Sequence, residues 1–229
     1  MCTAHTHGVG QLTGQLVDVA LDAFLTGFSM NTADLAKLPT KEIERLARNV
    51  QPGAWSVESE KPLSTLLGSC VAVCLFDPAL KIGGINHFML PEMGRSKYGD
   101  VDSLLSGNFA MEALLNALLG RGARKPRLQA KAFGGGTIID SDASAPNIGM
   151  RNASFAKEWL QREGIPLLSS DFLGPWSRKI IFLPFNGEAF CKRLVTNMAT
   201  ASVIAREERT YAETLLQKPK AVDKKIELF

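Results

Sequence analysis

A thiol and an imidazole, Cys70 and His87, are the groups in this chain best placed for nucleophilic chemistry. A free thiol has a reference pKa of about 8.5, and a neighbouring imidazole can lower it or accept its proton. The thiolate then attacks an acyl carbon, and the imidazolium returns the proton to the leaving group. The chain has three histidines. His5 and His7 lie in a polar, Gly/Thr-rich start that reads as mobile, so His87 is the general-base candidate of the folded body. A lone histidine is more often a satisfied structural group, so its setting has to be weighed.

The spacing favours an encounter. VAVCLF (71–76) reads as a buried strand, Asp77-Pro78 as a turn, and KIGGINHFML (81–90) as a returning strand stopped by Pro91. Facing residues of an antiparallel hairpin have a constant sum of positions. For Cys70 and His87 that sum is 157, and its midpoint falls in the turn. A hairpin closed there sets the two across from each other, with room for a slip of one or two residues at the Gly83-Gly84 pair.

Cys70 follows Gly68 and Ser69 at the entry to the strand, where small residues leave backbone N–H groups free for an oxyanion. Cys74 has the same strand parity but sits among Val73, Leu75 and Phe76, which reads as core packing. Cys191 and Cys2 receive no role. A Cys–His site usually has a third group that orients the imidazole. Ser64 and Thr65 both precede the nucleophile, and spacing does not choose between them.

Around this centre the chain reads as mixed α/β. Thr40 is expected to cap a helix over 41–50, Asn108 a helix ending at Gly120 and Gly122, and a further helix is expected over 152–163. LQAKAFGGG (128–136) and RKIIFLPF (178–185) read as strands, and ATASVIAREERTYAETLLQ as helix before a Lys-rich tail. LVDVALDAFLTGF (16–28) is apolar enough to pack. Gln51-Pro52-Gly53 suggests a soft boundary. The expected division is therefore an extension over 1–52, a catalytic domain over 53–195 and a helix with a tail over 196–229.

Composition narrows the classes. Lys and Arg number 26 against 23 Asp and Glu, a net charge of +3, too small to argue for nucleic acid. No apolar run reaches the ~18 residues of a membrane span, and the start lacks a basic then apolar leader, so a cytoplasmic location is expected. Four cysteines without a CxxC argue against a disulfide framework or a structural zinc site.

The motif STLLGSCVAVCLFDP (64–78) followed by GGINHFMLP (83–91) resembles the CheD family of chemoreceptor glutamine deamidases. KYGD (97–100), AKAFGGG (130–136), NIGMRN (147–152) and RKIIFLP (178–184) follow in family order, so the resemblance covers about residues 55–195. It implies a mixed α/β sandwich, flanked by helices and related to deamidating toxins. It also implies Cys70 as nucleophile and His87 as base. The family's third catalytic residue is a threonine six positions before the cysteine. Ser64 stands there, keeping the hydroxyl without the methyl. At DFLGPWSRK the chain departs from the family's glycine pair.

By this resemblance the substrate is a glutamine on a chemoreceptor's cytoplasmic helices, no cofactor or metal is needed, and CheC, a response-regulator phosphatase, is a possible partner. Two rivals are a non-catalytic adaptor that binds receptor or CheC, and another thiol hydrolase such as a protease or transglutaminase-like enzyme.

Overall fold

A computed structural model describes residues 31–90, 99–137, 148–195 and 198–217. The elements are α1 (Thr32–Leu35), α2 (Thr40–Leu46), β1 (Arg48–Asn49), β2 (Trp55–Glu58), β3 (Leu63–Leu67), β4 (Val71–Asp77), β5 (Ile82–Asn86), α3 (Gly99–Gly120), β6 (Gln129–Gly134), α4 (Ile148–Arg162), β7 (Leu167–Phe172), β8 (Trp176–Leu183), β9 (Glu188–Val195) and α5 (Met198–Gln217). The expectations for residues 1–14 and 16–28, for the strand stop at Pro91, for Lys97, Tyr98 and Asn147 at the starts of two motifs, and for the Lys-rich tail fall outside the described residues.

Two sheets stack face to face, in the orders β1-β3-β8-β9 and β2-β5-β4-β6-β7. Strand alternation gives each sheet two apolar faces. Cys70, Ala72, Cys74 and Ile85 meet Leu63, Leu67, Ile180 and Phe182 between the sheets. The opposite face of the larger sheet buries Val71, Val73 and Leu75 against Met111, Leu114 and Leu118 of α3 and Ala156 and Trp159 of α4. The outer face of the smaller sheet buries Ile181 and Leu183 against Leu35, Leu38 and Ile43. The architecture is the helix-flanked mixed α/β sandwich expected from the sequence.

Several local readings change. The helix expected over 41–50 ends at Leu46, and Thr40 lies inside it, after Pro39 at the cap position. Arg48 and Asn49 instead pair in parallel with Leu63 and Ser64 of β3. Asn108 does not cap a helix but lies within α3, where its Oδ1 accepts from Arg162 Nη2 at 2.9 Å. The glycine pair forms no bulge, since β4 and β5 pair without interruption. Its purpose is close approach on both faces. A Cβ at Gly83 would meet the Phe182 ring at 2.9 Å, and one at Gly84 would meet Leu114 at 2.7 Å. Where the family carries a glycine pair, Leu173 and Gly174 both take positive φ, 65° and 86°, so the turn keeps a left-handed path with only one glycine.

Residues 32–50, on the extension side of the expected boundary, pack on this body. Leu35, Leu38 and Ile43 are buried on the smaller sheet, and β1 adds a strand to it.

Candidate active site

Cys70 lies immediately before β4, as expected, and is fully buried. A turn of backbone holds it there. Gly135 N–H donates to the Cys70 carbonyl and Gly136 N–H to that of Gly68, both at 2.8 Å. Gly134 has φ 119°, and a Cβ there would collide with the Cys70 carbonyl oxygen, so this approach requires glycine. Asn152 of α4 ties the loop to the returning strand. Its Nδ2 donates to the Ser69 carbonyl at 2.9 Å, and its Oδ1 accepts from Leu90 N–H at 2.8 Å. Asn152 closes the NIGMRN motif, but its role depends on a helix contact far away in the chain and so has no local signal.

The hairpin register is two greater than the sum expected for a direct Cys70–His87 pair. Cys74 faces Ile85, and Val71 faces Phe88 in a closing bridge. By continuation Cys70 faces Met89 and Ala72 faces His87. Parity is preserved, so Cys70 and His87 share the face between the sheets as diagonal neighbours, with Cα atoms about 7–8 Å apart in such a geometry. The slip arises because the turn closes between Ala79 and Leu80. There Asp77 Oδ1 accepts from the N–H groups of both residues, at 3.0 and 3.3 Å.

His87 is 2% exposed and is held by backbone on both sides. Its carbonyl accepts from Gly53 N–H at 2.7 Å, and its N–H donates to the Ala54 carbonyl at 3.0 Å. The imidazole Nδ1 lies 2.8 Å from Thr65 Oγ1. The Thr65 hydroxyl donates its single proton to the Val50 carbonyl, also at 2.8 Å. Toward the imidazole this oxygen can therefore only accept, which places the ring proton on Nδ1. Nε2 then carries a lone pair, and it is buried with no hydrogen-bond partner among the described residues. Burial lowers the His87 pKa from 6.5 to about 4, against a smaller opposite effect of the Val50 carbonyl, so the ring is neutral near pH 7.

Thr65, and not the Ser64 that family spacing suggested, is the residue brought to the imidazole. Strand parity explains it. Thr65 pairs with Ile180, which faces the space between the sheets, whereas Ser64 pairs with Ile181, which faces α1 and α2. A one-residue shift along a strand reverses the side chain. Ser64 is buried and serves through its backbone, its carbonyl accepting from Val50 N–H at 2.8 Å.

The residues expected to support an oxyanion meet a carboxylate. Cys70 N–H donates to Glu208 Oε1 at 3.1 Å, and Ser69 Oγ donates to Glu208 Oε2 at 2.6 Å. These two donors therefore hold an anion. Gly68 contributes through its carbonyl, as an acceptor. Glu208 comes from α5, and nothing in its sequence neighbourhood marked it. Burial first, then the charge and hydrogen bond of Glu208, push the Cys70 thiol well above its ordinary value. The lowered thiol pKa expected from the sequence is thus reversed in this arrangement, and both members of the pair are neutral. A recess of about 180 Å3 adjoins Thr65 and His87, bordered by Val50, Pro52, Lys179 and Glu207.

Among the described residues no group of three or more His, Cys, Asp or Glu side chains is arranged to hold a metal ion, and no helix is long and apolar enough to cross a membrane.

Residues 89–193 match the family model described as CheD chemotactic sensory transduction. A probable chemoreceptor glutamine deamidase CheD 2 of Dechloromonas aromatica is 70% identical over 196 residues, covering 86% of this chain and 100% of its own length. A protein of the same description from Burkholderia thailandensis is 47% identical over 172 residues, covering 75% and 87%. A probable chemoreceptor glutamine deamidase CheD of Rhizobium rhizogenes is 42% identical over 191 residues, covering 82% and 99%. With a sandwich of the expected class and relatives matched over nearly their whole length, this chain belongs to the CheD family.

Proposed function

We propose that this protein deamidates glutamine side chains of chemoreceptors to glutamate, with Cys70 as nucleophile, His87 as general base and acid, and Thr65 as the positioning residue of the imidazole. The observation that carries this reading is the fixed tautomer of His87. The Thr65 proton is committed to Val50, so among the described residues the basic Nε2 is left without a partner, on the face it shares with Cys70. The names of the relatives supply the substrate class.

The chemistry follows from these groups. Nε2 takes the proton of Cys70 Sγ as the sulfur attacks the side-chain amide carbon. The charge that develops on oxygen is met by Cys70 N–H and the Ser69 hydroxyl. The C–N bond breaks, and ammonia leaves with the proton held by His87. Water, deprotonated by the same imidazole, attacks the thioester. The C–S bond breaks, yielding glutamate and the thiol. The recess beside His87 has room for such a water.

Substrates on receptor cytoplasmic helices fit a cytoplasmic enzyme. CheC, the partner suggested by the family resemblance, is read as a competitor for the receptor-docking face.

The test is incubation with a purified receptor cytoplasmic fragment, followed by site-resolved mass analysis. Converted glutamines gain about one dalton each without chain cleavage. Cys70→Ala is expected to abolish the gain and the accompanying ammonia. Peptide fragments, amine adducts, or full conversion by the Cys70→Ala variant would each sink the assignment.

A further inference from the structure

The last helix presents one face to the site. Ile204 is buried, Glu207 borders the recess beside His87, and Glu208 binds Ser69 and Cys70. Tyr211 packs against the cluster that contains Cys70 and stands over Gly53, where a Cβ would collide with its ring. The spacing of 204, 207, 208 and 211 is that of a single helical stripe.

Resting on the deamidase reading, we infer that α5 occupies the substrate's seat, with the Glu208 carboxylate held where the acyl group of a reacting side chain is held. Three observations converge. Both carboxylate oxygens are taken by the two donors suited to an oxyanion. Among the described residues no Lys or Arg forms an ion pair with Glu208, so the nucleophile loop is its anchor. The carboxylate is a glutamate on a helix, which is the product the reaction would leave on a receptor helix. The arrangement is a parked state. The acyl seat is filled by a group that cannot be attacked productively, and a negative charge opposes ionisation of the thiol. A receptor helix must displace α5 before its glutamine can reach Cys70.

The inference makes Glu208→Gln a substrate in cis. Glutamine has the same length, and its carbonyl oxygen can take the place of Oε1 on Cys70 N–H. Attack by Cys70 Sγ forms the thioester and breaks the C–N bond, releasing ammonia with a proton from His87. Water then restores the thiol and leaves glutamate at 208.

Two full-length variants test this. In Glu208→Gln, the peptide containing position 208 is expected to gain about one dalton, and not in the double variant with Cys70→Ala. In Glu208→Ala, alkylation of Cys70 by iodoacetamide is expected to quicken about tenfold, with buried Cys74 as the internal reference. Glutamine that persists at 208 while the same preparation converts receptor glutamine would overturn the seat assignment and leave the deamidase reading standing. Unchanged Cys70 alkylation in Glu208→Ala would overturn it as well. A folded Glu208→Gln chain that converts neither glutamine would remove the deamidase reading and the inference together.

Discussion

The two ends of the β4–β5 hairpin bury polar groups in opposite ways. At the closed end, the fully buried Asp77 receives Arg127 Nη2 at 2.7 Å and Nε at 3.0 and 3.1 Å, with backbone N–H groups of Ala79, Leu80 and Arg124. Burial alone would raise this carboxyl, but these donors outweigh it and hold it below the usual range. At the open end, His87 Nε2 is buried with no partner among the described residues, on the sheet face it shares with a thiol that cannot readily ionise. A buried polar group without a partner costs on the order of 1–3 kcal/mol. A satisfied group at one end and an unsatisfied one at the other separates a part built for stability from a part built to meet a substrate.

The sharpest way to break this contrast is to remove the unsatisfied base. His87→Gln keeps a polar side chain of similar reach but no proton-accepting nitrogen. Deamidation of receptor fragment is expected to fall by about 100- to 10,000-fold while the folded state persists. A variant that retains more than a tenth of the wild-type rate would show that another group takes the thiol proton.

Next in size is the group that aims the ring. Thr65→Val removes both hydrogen bonds while preserving shape. Loss of tautomer and orientation is expected to cost about 10- to 100-fold in kcat with little change in KM. Thr65→Ser should recover most of it, because the hydroxyl alone carries the contact. Ser64→Ala, whose side chain faces the opposite layer, should leave kcat nearly unchanged. The reverse ranking of Thr65 and Ser64 would refute the parity argument.

The closed end should respond in stability and not in catalysis. Asp77→Ala strands the Arg127 guanidinium and the N–H groups of the turn. It is expected to lower unfolding free energy by about 3 kcal/mol in denaturant titration, with kcat for the folded fraction unchanged. A fall in kcat without destabilisation would tie the turn to the chemistry.

How far the chain could be read follows the range of the interactions. Strands β4 and β5, their turn, and the position of Cys70 at the strand entry came from neighbouring residues. So did the shared parity of Cys70 and His87, because a period of two survives a two-residue slip. What escaped was set by distant partners. The choice of Thr65 over Ser64 depends on which face of β3 meets the second sheet, and that is decided by β8. β1 looked like the end of a helix because its pairing partner lies beyond another strand. Asn152, although it ends the NIGMRN motif, and Glu208 reach the loop that carries Cys70 across 83 and 139 residues of sequence, and the residues beside them do not reveal that contact.

The smallest expected effect lies in pH, and it tests the burial of the base directly. In the unfolded chain His87 titrates near its ordinary 6.5, whereas in the folded chain burial holds it at about 4. Between these values the unfolded state binds a proton that the folded state does not. Stability therefore rises with pH across this window and levels off above it. As pH falls from 7.5 to 5 the loss from this group is on the order of 1–2 kcal/mol. Asp171, held at about 2 chiefly by Arg193 against its burial, loses its contribution only below the ordinary 3.8, so the two windows do not overlap. Denaturant midpoints at pH 7.5 and 5 should therefore converge in His87→Gln relative to wild type. Equal pH dependence in the two proteins would mean that the imidazole is already protonated or solvated in the folded state, and the distinction between the hairpin's two ends would be lost.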